Sequence, residues 1–231
     1  MLFKKAYFCR IFQKALSSMD IEQLIAEKPL LHSDENGLPV DYSINTNVLR
    51  ALNNYLKPGM VTLETGSGHT TVVFANIGTQ HISISPYADE QSRIQQYLER
   101  KSLGASVIFL NGSSDQILPT TQLPISLDFV LIDGAHRFPF AFIDFHYTAE
   151  RIPVGGFLCV DDVHMPSVKI LYNFLKIEKE WELVQRIKNT VFFKRIAPTI
   201  IYSDWQGQEI NKFFKKFSTL KGNIKNKFIK R

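Results

Sequence analysis

Two short stretches, Asp133-Gly-Ala-His136 and Asp161-Asp162-Val-His164, set three carboxylates and two imidazoles at or just past the ends of two apolar runs, Leu127 to Asp133 and Gly156 to Val160. If those runs are neighbouring parallel strands, their acidic ends converge on one sheet edge. Three carboxylates there repel one another unless one is protonated or a cation bridges them. A hard divalent ion with oxygen ligands, Mg²⁺ in preference to Zn²⁺, would relieve that repulsion through Asp133, Asp161 and Asp162 and lower the pKa of a bound hydroxyl. A neutral imidazole beside such a hydroxyl would accept its proton, with a neighbouring aspartate orienting the ring. His136 and His164 are the two histidines beside these carboxylates, and His136, which shares a four-residue turn with Asp133, is the preferred base. Plainer readings stay open: Asp161 as a helix cap, Asp162 as a solvated residue, either histidine as a hydrogen-bonded loop residue.

A second feature lies upstream. Val61 to Ala75 reads VTLETGSGHTTVVFA, an apolar run broken by Gly66 and Gly68 and then resumed with helical character. Glycine at a strand end lets the backbone take positive φ and brings a ligand onto main-chain N–H groups at the next helix. A P-loop is excluded because no Gly-Lys-Ser/Thr follows, and a dinucleotide fingerprint would need a third glycine where Thr71 stands. Glu64, just before the turn, disfavours a phosphate and suits a cationic ligand such as S-adenosylmethionine, which carries a sulfonium and an ammonium.

These residues need a frame to hold them. Apolar runs at Val61 to Glu64, His81 to Ser85, Ser106 to Asn111, Leu127 to Asp133 and Gly156 to Val160 read as strands. Helical stretches near 44–56, 69–77, 89–103, 138–151 and 166–179 alternate with them. That rhythm predicts an α/β, Rossmann-like, doubly wound and mostly parallel sheet. Trp181 to Arg186 and Thr190 to Arg195, separated by Ile187-Lys188-Asn189, predict a C-terminal antiparallel hairpin. Residues 1 to 32 read as amphipathic helix, with Ile11, Leu16, Met19, Leu24 and Ile25 on one side, followed by the turn-rich HSDENGLPVD at 32 to 41.

Taken together, LETGSGHTT resembles the acidic, glycine-rich first motif of class I S-adenosylmethionine-dependent methyltransferases. ISLDFVLIDGAH at 125 to 136 is similar to their fourth-strand motif, and RIPVGGFLCVDDVH at 151 to 164 to their fifth strand with its Gly-Gly turn. The resemblance implies that Glu64, Gly66, Ser67 and Gly68 face the methionine part of the cofactor, with Asp133 beside it and Thr70 also among the cofactor-binding residues. Ser113 and Ser114 would contact the adenine. The second strand of the family ends in an acid for the ribose hydroxyls; here Ser85 stands there, and Asp89 or Glu90 in the next turn are substitutes. DGxH followed by Asp-Asp is also similar to small-molecule O-methyltransferases of the macrolide-sugar type, which use a metal. The implied function is O-methylation of a small or glycosidic acceptor, Mg-assisted through the three aspartates; the alternative is a non-catalytic scaffold of the same fold. Phe138 and Phe140 lie near enough in sequence to shape an acceptor pocket.

The expected organisation is a helical extension and linker over 1–40, a methyltransferase-like domain over 41–200 and a basic amphipathic tail over 201–231. The formal charge of +5 comes from that tail: residues 211 to 231 hold eight Lys or Arg and no acid, leaving 19 basic residues against 22 acids elsewhere. Such a tail fits peripheral contact with anionic lipid, docking on the body, or a homodimer contact. Nucleic acid is not the expected partner, since no Asn/Asp-Pro-Pro-aromatic motif is present. Cys9 and Cys159 form no disulfide framework, and no signal peptide or membrane span is expected, so a cytoplasmic location is the simpler assumption.

Overall fold

The computed structural model describes residues 19–34, 36–41, 44–103, 106–198 and 208–212. Its helices are α1 (Ile21–Glu27), α2 (Thr46–Tyr55), α3 (His69–Ile77), α4 (Ala88–Arg100), α5 (Ser114–Thr120), α6 (Phe140–Thr148) and α7 (Pro166–Ile177). Its strands are β1 (His32–Ser33), β2 (Pro39–Val40), β3 (Val61–Thr65), β4 (Gln80–Ser85), β5 (Val107–Asn111), β6 (Phe129–Ile132), β7 (Phe157–Val160), β8 (Trp181–Ile187) and β9 (Thr190–Arg195).

The main sheet has seven strands in the order β5-β4-β3-β6-β7-β9-β8. The first five in that order run parallel, β9 pairs antiparallel with β7, and β8 with β9. Alternation along the central strands divides the core. Val130, Ile132, Leu158 and Val160 face α6 and α7, while Phe129, Leu131 and Cys159 face α2, α3 and α4. A strand buried on both faces reads as a continuous apolar run, which is why Phe129 to Ile132 shows no polar position. Each large side chain so buried, such as Phe74 or Phe129, contributes about 1.5–3 kcal/mol. The strand order reverses between β3 and β6, and the crevice beyond their carboxyl ends is where such a sheet receives ligands.

The expected doubly wound sheet is present, and its differences in detail have local causes. The stretch 32–41 is a β1–β2 hairpin rather than a plain linker. Asp34 Oδ1 accepts from the backbone N–H groups of Asn36 and Leu38, both at 2.9 Å, and so turns the chain. α5 lay unrecognised because its seven residues include Pro119, which suits only a short helix. α6 begins after Pro139 and gives way to a 3-10 turn at 149–151. Of the N-terminal helix only α1 is described, ending at Lys28 in the left-handed region; residues 1–18 lie outside the described residues, as do 213–231 of the tail. Residues 209–212 form one helical turn whose first amides, those of Glu209 and Ile210, donate to the Glu178 carboxylate. Among the described residues no helix is long and apolar enough to cross a membrane.

Candidate active site

The glycine turn joins β3 to α3 and is pinned from beneath. Gly66 N–H donates to the Ile84 carbonyl at 2.8 Å, and Ser83 Oγ donates to the Gly66 carbonyl at 3.0 Å. Gly66 has φ +98°, and a Cβ there would lie 2.4 Å from the Asp133 carbonyl oxygen, so both conformation and space demand glycine. At Gly68 the constraint is space alone, because a Cβ would stand 2.9 Å from His32 Nε2 on the hairpin above.

Glu64 does not face the crevice. It is 1% exposed. Thr70 Oγ1 donates to its Oε2 at 2.6 Å, Thr71 Oγ1 donates to its Oε1, and His81 Nε2 stands 3.2 Å from Oε1. Thr71 in turn accepts from Gly68 N–H at 2.9 Å, which ties the acid to the turn it was expected to supplement. Behind it the network continues. Thr79 Oγ1 donates to the Phe74 carbonyl and Thr62 Oγ1 to Thr79, so the 2.8 Å contact from Thr62 to His81 Nδ1 assigns the proton to that nitrogen. The His81 ring also stacks on Phe74 at 4.1 Å.

The cavity at the strand ends has a volume of about 1360 Å³ and runs from the glycine turn to the β8–β9 hairpin. Gly66, Ser67, Gly68, Thr70, Ser85, Ser113, Ser114 and Asp133, the residues expected at the cofactor, all line it. Asp89 and Glu90, in the first turn of α4, line it beside Ser85. Ser113 Oγ is committed to Asp115, whereas Ser67 Oγ is buried without a hydrogen bond. Phe138 and Phe140 do not line the cavity: Phe138 is surface-exposed, and Phe140 is buried under the Arg137 guanidinium.

At the far end Asp133, His136, Asp161 and Asp162 come together, as expected. Asp133 is placed by its own N–H, which donates to the Thr65 carbonyl at 3.0 Å. His136 Nε2 lies 3.6 Å from Asp133 Oδ1 and 3.3 Å from Asp162 Oδ2. Asp162 adopts φ +53°, which turns its carboxylate back towards His136 and, at 3.4 Å, towards His164 Nδ1. His164 itself does not line the cavity and is half exposed, so it stands outside the site it was expected to serve. Burial pushes the Asp133 carboxyl up to about 7, with Asp161 and Asp162 adding to the rise and His136 opposing it. Contact with Asp133 raises His136, and burial raises Asp161.

The three aspartates expected to share a metal differ in their partners. Asp161 Oδ1 accepts from Thr190 Oγ1, and His136 occupies the space between Asp133 and Asp162. Among the described residues no group of three or more His, Cys, Asp or Glu is arranged to hold a metal ion. The His136 imidazole stands between two of the carboxylates that a cation was invoked to bridge.

Several cavity residues had gone unread in the sequence. The hairpin turn brings Lys188, at φ +52°, and Asn189 to the rim, where the Asn189 carbonyl accepts from Val163 N–H. From the N-terminal side, His32 pairs with Glu90 at 3.3 Å, and Arg93 holds the Leu31 carbonyl at 2.9 Å and Ser33 Oγ at 3.0 Å. The turn-forming Asp34-Glu-Asn-Gly was the available signal for that hairpin. His69, 6% exposed, lines the cavity, and burial lowers its pKa.

The lining fits S-adenosylmethionine. Six carboxyl-bearing residues (Asp34, Asp89, Glu90, Asp133, Asp161 and Asp162) line the cavity against Arg93 and Lys188, which suits a ligand with two positive centres, and the Ser67 hydroxyl beside them is buried without a hydrogen bond.

Comparison with known proteins points the same way. A family described as a methyltransferase domain matches residues 63–163. The O-methyltransferase NovP is similar with a TM-score of 0.58 at 17% identity, over 70% of this chain and 85% of its own. TomG of Streptomyces achromogenes, an O-methyltransferase solved with S-adenosylmethionine, gives 0.58 at 16% identity over 78% and 100%. Cofactor-bound Rv0187 from MTB gives 0.58 at 13% over 76% and 88%. No curated protein matches the sequence. The segment from residue 63 to residue 163 thus matches a methyltransferase-domain family, and the sheet around it has the fold of the O-methyltransferases NovP and TomG.

Proposed function

We propose that this chain transfers a methyl group from S-adenosylmethionine to an oxygen of a small hydroxylated acceptor, with His136 as the general base. The observation that carries the reading is the His136 imidazole set between Asp133 and Asp162 at one end of an acid-lined cavity whose other end is the glycine turn. S-adenosylmethionine would supply an electrophilic methyl on its sulfonium. The glycine turn and Ser67 would hold the methionine part, Asp89 and Glu90 the ribose, and Asp133 would stand beside the positive centre. His136 then removes the acceptor proton, and Asp162 stabilises the imidazolium that results. No step of this reading is routed through magnesium. The O-methyltransferase designations of NovP and TomG favour oxygen as the target.

Calorimetric titration with S-adenosylhomocysteine tests the cofactor; no heat at millimolar ligand would end the proposal, and binding without turnover of any acceptor would favour a scaffold role. The base is tested by pH. His136 must be neutral to accept a proton, and Asp133 raises it above the ordinary imidazole value of 6.5. kcat/KM is therefore expected to climb with pH through a midpoint above that value and to level off beyond it. His136→Gln should lower kcat about a hundredfold and remove that limb. A flat profile down to acid pH in the unaltered protein would assign the proton elsewhere.

A further inference from the structure

The β1–β2 hairpin contributes no strand to the main sheet, yet His32, Ser33 and Asp34 line the cavity. Arg93 docks the hairpin on α4. Its guanidinium donates to the Leu31 carbonyl at 2.9 Å and to Ser33 Oγ at 3.0 Å, the residues on either side of His32. His32 is thereby set beside the first turn of α4. Its Nδ1 stands 3.3 Å from Glu90 Oε2, and only 10% of the His32 side chain and 12% of the Glu90 side chain are exposed. The other edge of the ring faces the glycine turn: a Cβ on Gly68 would lie 2.9 Å from Nε2, so the imidazole fills the space that the glycine leaves. One ring thus stands between the glycine turn and the Glu90 carboxylate.

A glutamate in the first turn of a helix is ordinarily a solvated side chain with several rotamers open to it. Asp89 beside it is exposed in that way. Glu90 gives up part of its hydration and its freedom beneath His32, at the wall of a polar cavity rather than in the core. A carboxylate offers about four lone-pair sites, so it can face His32 and still accept from both hydroxyls of a vicinal diol. Hydrogen bonds of this charged kind are about twice as strong as neutral ones, provided the carboxylate is held in place.

We infer that His32 is a positioning residue: it holds the Glu90 carboxylate at the cleft so that Glu90, rather than Asp89, takes the ribose hydroxyls, and the site selects a ribonucleoside over its 2′-deoxy counterpart. The inference rests on the S-adenosylmethionine reading and adds to it a residue from a hairpin outside the main sheet. His32 acts here through Glu90 and needs no contact of its own with the ligand.

Calorimetry with S-adenosylhomocysteine and with its 2′-deoxyadenosyl analogue decides the matter. The unaltered protein should bind the analogue about tenfold more weakly, the loss of one hydrogen bond to a charged group. In His32→Ala the Kd for S-adenosylhomocysteine should rise towards that of the analogue, and the preference should fall below about threefold. A hairpin that merely loosened would weaken both ligands alike, and an unchanged ratio overturns the positioning role. His32→Asn, whose amide nitrogen can stand where Nδ1 stands, should restore most of the preference. Glu90→Gln should lose the preference, and adding His32→Ala to it should weaken binding no further. A full additional loss in that double variant overturns the inference, as does an analogue bound by the unaltered protein as tightly as S-adenosylhomocysteine. No binding of either ligand by the unaltered protein overturns the cofactor reading, and the inference with it.

Discussion

Gly66→Ala is expected to lose about 3 kcal/mol of stability in urea unfolding and to abolish S-adenosylhomocysteine binding. Two effects combine at this position. Alanine at φ +98° is strained, and its Cβ would be driven to 2.4 Å from the Asp133 carbonyl oxygen, which belongs to backbone and has little freedom to yield. Gly155 separates the two effects, because it has φ +95° while a Cβ placed on it would meet nothing within 4 Å. Gly155→Ala should therefore show the conformational cost alone, about 1 kcal/mol. The difference between the two variants reads the contact between the glycine turn and the Asp133 turn. Equal losses would mean that the two turns are not locked together.

The second large effect is expected at His81, beneath the same turn. His81→Phe keeps the ring that stacks on Phe74 but removes both nitrogens, leaving Glu64 and Thr62 without it. Leaving a buried polar group beside an apolar ring without its partner costs about 1–3 kcal/mol. Urea unfolding of the variant measures this, and a loss below about 1 kcal/mol would mean that Thr70 and Thr71 satisfy Glu64 unaided. Stability should fall further than in Gly155→Ala.

Glu64 shows how far residue types alone can be read. Its position before the glycines was legible, and so was its involvement with the turn. The direction of its carboxylate was not, because it depends on His81, which lies one strand over in register with Thr62. The sheet was legible for a related reason: Val61 to Thr65, Phe129 to Ile132 and Phe157 to Val160 are buried on both faces, and burial writes itself as unbroken apolar runs. Asp133, His136, Asp161 and Asp162 were placed together because each follows the end of such a strand. Whether they share a cation or an imidazole was decided by Thr190 on β9 and by the left-handed backbone at Asp162, and neither has a signature in the local sequence.

The hairpin of β1 and β2 has a consequence for how the site comes into being. His32 roofs Gly68 and Arg93 fastens the hairpin to α4, while Lys188, Asn189 and Thr190 close the opposite side. The cavity is thus walled by segments that are remote along the chain, and bringing remote segments together is the slow, entropically opposed part of folding. Binding competence should accordingly be among the last properties to appear as the chain folds and among the first to go when it loosens.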